Sequence, residues 1–137
     1  MADTGTLTVT PPDNVDRFNR PVQKWTLAWV SDSSGNVTRS VGHKINGTLR
    51  GVVTTPSGTV APTAAYDVVL KDEHGIDVLA GLGADRSATV AERVKPQVTQ
   101  AGSVVVYPHE IDVFGDMQLV ITNAGNAKAG TITLYVR

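Results

Sequence analysis

The stretch Met117-Gln118-Leu119-Val120-Ile121-Thr122-Asn123-Ala124-Gly125-Asn126-Ala127-Lys128-Ala129-Gly130-Thr131-Ile132-Thr133-Leu134-Tyr135-Val136 decides the fold class. Side chains on a strand point alternately to opposite faces. Met117, Leu119 and Ile121 therefore share one face, with Gln118, Val120 and Thr122 on the other. After the Asn-, Gly- and Ala-rich connection, Ile132, Leu134 and Val136 point inward while Thr131, Thr133 and Tyr135 point out. Two half-buried strands joined by a turn-forming segment are the unit of an antiparallel sheet.

The same period recurs upstream. In Trp25-Thr26-Leu27-Ala28-Trp29-Val30 the large residues Trp25, Leu27 and Trp29 share a face. Asp32-Ser33-Ser34-Gly35-Asn36 reads as a turn, with a return strand over Val37–Ile45. A further strand over Gly47–Thr55 closes at Pro56-Ser57-Gly58. Tyr66, Val68 and Leu70 alternate with Asp67, Val69 and Lys71. Asp72-Glu73-His74-Gly75 then turns the chain into a strand at Ile76–Ala80. Val98–Tyr107 and Ile111–Phe114 complete eight or nine strands. The candidate core is Trp25, Leu27, Trp29, Val68, Leu70, Leu119, Ile121, Ile132, Leu134 and Val136. The one helix candidate lies in 81–96, where Thr89 and Glu92 have capping-box spacing and Pro96 stops the element.

Composition agrees. Among 137 residues Val, Ile and Thr number 42, against 8 Leu and 3 Glu. β-branched residues favour strands, whereas Leu and Glu favour helices. The length suits one domain with one core. The expected fold is all-β: a single-domain β-sandwich, jelly-roll-like, over 25–137, preceded by an extended N-terminal arm or long loop over 1–24. Within that arm Thr6–Thr10 reads as a short strand. Pro11, Pro12 and Pro21 then favour extended backbone.

The net charge of −1, with 18% charged residues, gives no general attraction to nucleic acid or an anionic membrane. No apolar run approaches the ~20 residues of a membrane span, and the opening Met1–Gly5 lacks the basic and apolar regions of a secretory signal. With no cysteine there is no thiolate nucleophile and no Cys-ligated metal. His43, His74 and His109 are too far apart in sequence to form a local metal pair, and neither a nucleophile elbow nor a phosphate loop occurs. Asp72-Glu73-His74-Gly75-Ile76-Asp77 is the densest acidic cluster. Its spacing does not fit an EF-hand loop, and a solvated hairpin turn with Gly75 at positive φ is the favoured reading. Asn36-Val37-Thr38 and Asn46-Gly47-Thr48 match the glycosylation sequon by chance. Trp25 and Trp29 would form a carbohydrate platform if exposed, and a core pair otherwise; Leu27 between them favours core. Arg17, Phe18 and Arg20 mix charge with an aromatic on the proline-flanked segment, as interface hot spots do, and are the candidate partner-binding residues. Catalytic residues, metal ligands and cofactors are expected to be absent.

The second half resembles a known family. Ala61-Pro62-Thr63-Ala64-Ala65-Tyr66-Asp67-Val68-Val69-Leu70, then Gly75-Ile76-Asp77-Val78-Leu79-Ala80-Gly81-Leu82-Gly83-Ala84-Asp85-Arg86-Ser87, resembles small structural proteins of tailed bacteriophages. So do Leu119-Val120-Ile121-Thr122-Asn123-Ala124-Gly125 and Ala129-Gly130-Thr131-Ile132-Thr133-Leu134-Tyr135. The similarity spans roughly residues 45–137 and is to the jelly-roll cement, or decoration, proteins that coat capsids of some short-tailed phages. The resemblance implies a non-enzymatic virion protein, made in the host cytoplasm and bound to the outer capsid surface. Its implied partners are the major capsid protein and further copies of itself, with a dimer preferred over a trimer. It supplies no functional residue to transfer. Other virion roles (tail or head–tail joining) and a carbohydrate-binding module are the competing readings, with a dispersed-triad hydrolase a third.

Overall fold

The structure is a computed structural model, and it describes residues 4–12, 22–99 and 105–137. The described residues form eleven strands: β1 (Thr6–Thr10), β2 (Gln23–Val30), β3 (Val37–Ser40), β4 (Gly47–Pro56), β5 (Asp67–Lys71), β6 (Glu92–Val94), β7 (Gln97–Thr99), β8 (Val106–Pro108), β9 (Ile111–Val113), β10 (Gln118–Thr122) and β11 (Ala129–Val136). Among the described residues there is no helix.

The larger sheet runs β1-β2-β11-β4-β6, with β9 also paired to β4, and the smaller runs β3-β10-β5; β7 and β8 form a separate hairpin. Every pairing is antiparallel. The chain alternates between the two sheets from β2 to β5 and again from β9 to β11. It is thus one long hairpin wrapped on itself: β2 pairs β11, β3 pairs β10, and β4 pairs β9. That nesting is the jelly-roll order, and it makes the molecule an all-β sandwich.

The core fills the space between the sheets. Trp25, Leu27 and Trp29 of β2 face Val68 and Leu70 of β5 and Leu119 and Ile121 of β10, with Ile132, Leu134 and Val136 of β11 alongside. All ten residues expected inside are buried. The Trp29 and Tyr66 rings lie 5.6 Å apart at 45°. Opposite Trp29 in the ladder, Gly130 leaves the space its ring occupies.

Four local expectations are corrected. Residues 81–96 are not helical. Ser87 Oγ accepts hydrogen bonds from the Thr89 and Val90 amides, which makes a turn, and Glu92 opens β6. Glu92 Oε1 accepts from the Ser87 amide and Oε2 sits 3.5 Å from Arg86, so the supposed capping pair serves a turn and an ion pair. Ile76–Ala80 is not a strand, because Asp77 captures the Leu70, Leu79 and Gly81 amides in its carboxylate and bends the chain across β5. The return strand after Asn36 stops at Ser40, because Asp116 takes both the Ser40 hydroxyl and the Gly42 amide. The described residues hold eleven strands rather than eight or nine, because Glu92–Val94 is a strand and the described ends of the expected Val98–Tyr107 strand are two strands, β7 and β8, paired with each other.

The N-terminal segment takes part in the sandwich. β1 pairs with β2 along its whole length, and Thr4 bridges to Thr38 of β3, so residues 4–10 tie the two sheets together at one edge. Gly5 is the pivot. Its φ is +69°, and a Cβ there would lie within 3 Å of the Val30 and Asn36 carbonyls. Arg39 donates to the Gly5 carbonyl with Nε and Nη2, at 2.9 and 2.8 Å. The first sheet thus begins well before residue 24.

Candidate functional site

Arg17, Phe18 and Arg20 lie outside the described residues. The other groups that drew attention in the sequence are dispersed. The His43 ring rests 5.8 Å from Trp25, His74 lies 3.6 Å from Glu73 Oε1 at a hairpin tip, and His109 Nδ1 meets the Glu110 carbonyl. Among the described residues no three His, Cys, Asp or Glu side chains come together as a metal-binding group. Trp25 and Trp29 are 4% and 1% exposed, so neither presents a ring to a sugar.

The acidic cluster folds as a turn. Asp72 Oδ1 accepts from the His74 and Ile76 amides at 2.9 and 3.1 Å, and Gly75 takes φ +77°. The same device is built at Asp32, whose Oδ1 accepts from the Ser34 and Asn36 amides at 2.8 and 3.0 Å, with Gly35 at φ +83°. In both places the acid at the first position and glycine at the fourth make one turn. Asp72 and Asp32 thus each turn Oδ1, and Asp77 both carboxylate oxygens, to backbone amides.

The outer face of the larger sheet holds the best-formed cluster of unspent charge. Two rows cross it: Thr8, Ala28, Thr131 and Thr55, then Thr10, Thr26, Thr133, Val53 and Arg93. The rows are uncharged until Arg93. Beyond it the alternation of β4 breaks. Tyr135 pairs with Gly51, but Val136 pairs with Leu49, so Arg50 is an extra residue. Leu49 and Val52 both point into the core, and Arg50 and Gly51 are left on the outer side. This is a β-bulge, a device that re-aims side chains.

The bulge opens a cleft of about 350 Å³ lined by Val22, Arg50, Gly51, Arg93, Lys95, Glu110 and Tyr135. Arg50 Nε bonds Glu110 Oε1 at 3.1 Å. Among the described residues, Arg93 and Lys95 have no hydrogen-bonded or ionic side-chain partner. A Cβ on Gly51 would touch no atom within 4 Å, so the floor is open. Three cations face one carboxylate here, in a chain whose net charge is −1. The arrangement can hold an anionic group. Sequence reading missed it because its members sit at 50, 93, 95, 110 and 135. The available signal was Gly51 inside a strand pattern, which marks a bulge.

A second groove, of about 470 Å³, is lined by Ile76, Val78, Ala80, Val98 and Ile111, with Asp72 and Asp77 at its border. No family model matches the chain, and no curated protein or solved structure matches it. Among the described residues no helix is long and apolar enough to cross a membrane.

Proposed function

We propose that the protein is a non-enzymatic virion structural protein that binds the outside of a bacteriophage capsid and cements neighbouring major capsid protein subunits. The observation that carries this reading is where the phage-like stretches fall. They cover β5, the turns that lie across it, and β10 and β11, the middle strands of the two sheets of a wrapped-hairpin sandwich. The resemblance is thus to a framework rather than to a catalytic pocket. The acids of the turns are committed to backbone amides, which supports a protein acting through its surface.

The mechanism follows from repetition. Each copy adds a modest binding free energy to the contact between two shell subunits. Because binding favours the assembled state, many copies on a symmetric lattice shift the shell towards it. A second copy of the chain is the expected co-partner, as a dimer. The site of action is the capsid surface.

The test is co-sedimentation of the purified chain with expanded capsid shells of its phage. Saturable binding at a fixed ratio to the major capsid protein, with a raised shell melting temperature, is expected. Free protein left in the supernatant at every concentration would refute the reading.

A further inference from the structure

The bulge cleft has a shape and a charge that select its occupant. Its cations come from two neighbouring strands, Arg50 from β4 and Arg93 and Lys95 from β6 and its end, which the ladder holds side by side. Arg50 is fixed by Glu110, which also caps one end of the cleft. Arg93 stands in the outward row at its border, and Lys95 follows two residues later on the same side. Tyr135 supplies an aromatic wall, and Gly51 supplies depth. A guanidinium with an unused fork matches a planar carboxylate through two parallel hydrogen bonds.

We propose that this cleft is a docking socket for acidic side chains, taking one or two Glu or Asp carboxylates from an extended segment of a partner protein. Its size argues for a side chain rather than a nucleic acid. A volume of about 350 Å³ lies at the small end of ligand pockets, which run from about 300 to 1,000 Å³. Nucleic-acid backbones call for a stripe of cations along several phosphates. Here Lys24, opposite Tyr135, adds one exposed cation in the same row, and the rows beyond are Thr, Ala and Val, so the positive charge is a short patch rather than a stripe. The inference rests on the cement reading only for the identity of the partner as a capsid subunit; the socket itself is a property of the free chain.

The experiment uses the full chain, labelled with nitrogen-15, titrated separately with a hexaglutamate peptide, inorganic phosphate and oligothymidylate. Hexaglutamate should shift the amides of Arg50, Gly51, Arg93 and Lys95 first. The R93E/K95E double variant, which changes two exposed side chains, should weaken that binding at least about tenfold. G51L keeps every charge and fills the floor, so it should weaken binding as well if the cleft, and not net charge, is read. Absence of shifts at these amides, or binding unchanged by R93E/K95E, would overturn the proposal. So would tighter binding of oligothymidylate or of phosphate at the same amides. If hexaglutamate occupies the cleft but shells do not capture the chain, the cement reading fails and the socket stands. If shells capture R93E/K95E and G51L as well as the parent, the socket is not the capsid contact and the identification of its partner as a capsid subunit is overturned.

Discussion

Replacing Gly130 by alanine sets two opposing effects against each other in one position. Glycine inside a strand is costlier than alanine by about 0.5–1 kcal/mol, because it loses more backbone freedom on folding. On that ground alone the substitution would stabilise. The structure reverses the sign. A Cβ on Gly130 would lie 2.7 Å from Trp29 Cζ2, 2.9 Å from Cε2 and 3.0 Å from the Thr55 carbonyl oxygen. The ring cannot retreat freely: Trp29 is 1% exposed, with the Tyr66 ring 5.6 Å away. The carbonyl belongs to the β4–β11 ladder. Forcing a methyl into a packed site costs about 1–3 kcal/mol. The net effect is a destabilisation of roughly 0.5–2 kcal/mol. Unfolding entropy of about 2.1 cal/mol/K per residue over 137 residues gives ~0.29 kcal/mol/K, so Tm should fall by roughly 2–7 °C. Gly51→Ala is the internal control on the same sheet. Its Cβ meets nothing within 4 Å, so that variant should gain about 0.4–1 kcal/mol and melt slightly higher. Thermal and urea unfolding followed by circular dichroism, with near-ultraviolet bands for the Trp29 environment, measure both. Equal melting temperatures, or Gly130→Ala melting higher than Gly51→Ala, would refute the packing argument.

Leu134→Ala, at a fully buried site between Trp25 and Val52 in the ladder, should cost about 2–5 kcal/mol in urea unfolding; a loss under about 1 kcal/mol would mean the face is misassigned. Burial pushes the Tyr66 phenol pKa up, with the Thr54 hydroxyl pulling the other way although neither hydroxyl completes a well-formed hydrogen bond. The neutral phenol is the folded form, so this stability is complete below the unfolded pKa of about 10 and is lost as pH rises through the higher folded value. Thermal melts across that range should fall more steeply for the parent chain than for Tyr66→Phe, and parallel curves would contradict this. Asp32→Ala and Asp72→Ala each remove an acceptor of two backbone amides and should each cost about 1 kcal/mol, measured as a shift in urea midpoint. Removing residues 1–10 takes away β1, with half-buried Leu7 and Val9, and should lower stability by at least about 2 kcal/mol; an unchanged melting temperature would return this segment to the status of a detachable arm.

What was legible in the sequence is what alternation alone decides. β2, β5, β10 and β11 read correctly because each keeps a strict two-residue period with large apolar residues inside. The misreadings lie where a side chain overrides the backbone pattern. Ile76–Ala80 alternates like a strand, but the Asp77 carboxylate outbids a ladder partner for three amides. Thr89 and Glu92 have the spacing of a helix start, yet Ser87 had the nearer claim on the amides. The cleft could not be read at all. Arg50 and Arg93 converge only because the wrapped hairpin sets β6 beside β4, and only the bulge turns Arg50 outward.

The outer face of the larger sheet divides its two capacities between its two ends. The threonine rows are uncharged, β-branched and regular, which suits close contact over area but sets no direction. A partner lying across them meets the same surface whichever way it runs. The cleft breaks that symmetry, because Arg93 ends one row and the bulge places Arg50 beside it. Complementary charge contributes more to orientation and encounter than to raw affinity. On the proposed reading, area from the threonine rows and direction from the socket are therefore separable. Charge reversal at Arg93 and Lys95 then acts on the orientation and association rate of a bound partner, while bulky replacements at Thr131 or Thr133 act on how long it stays.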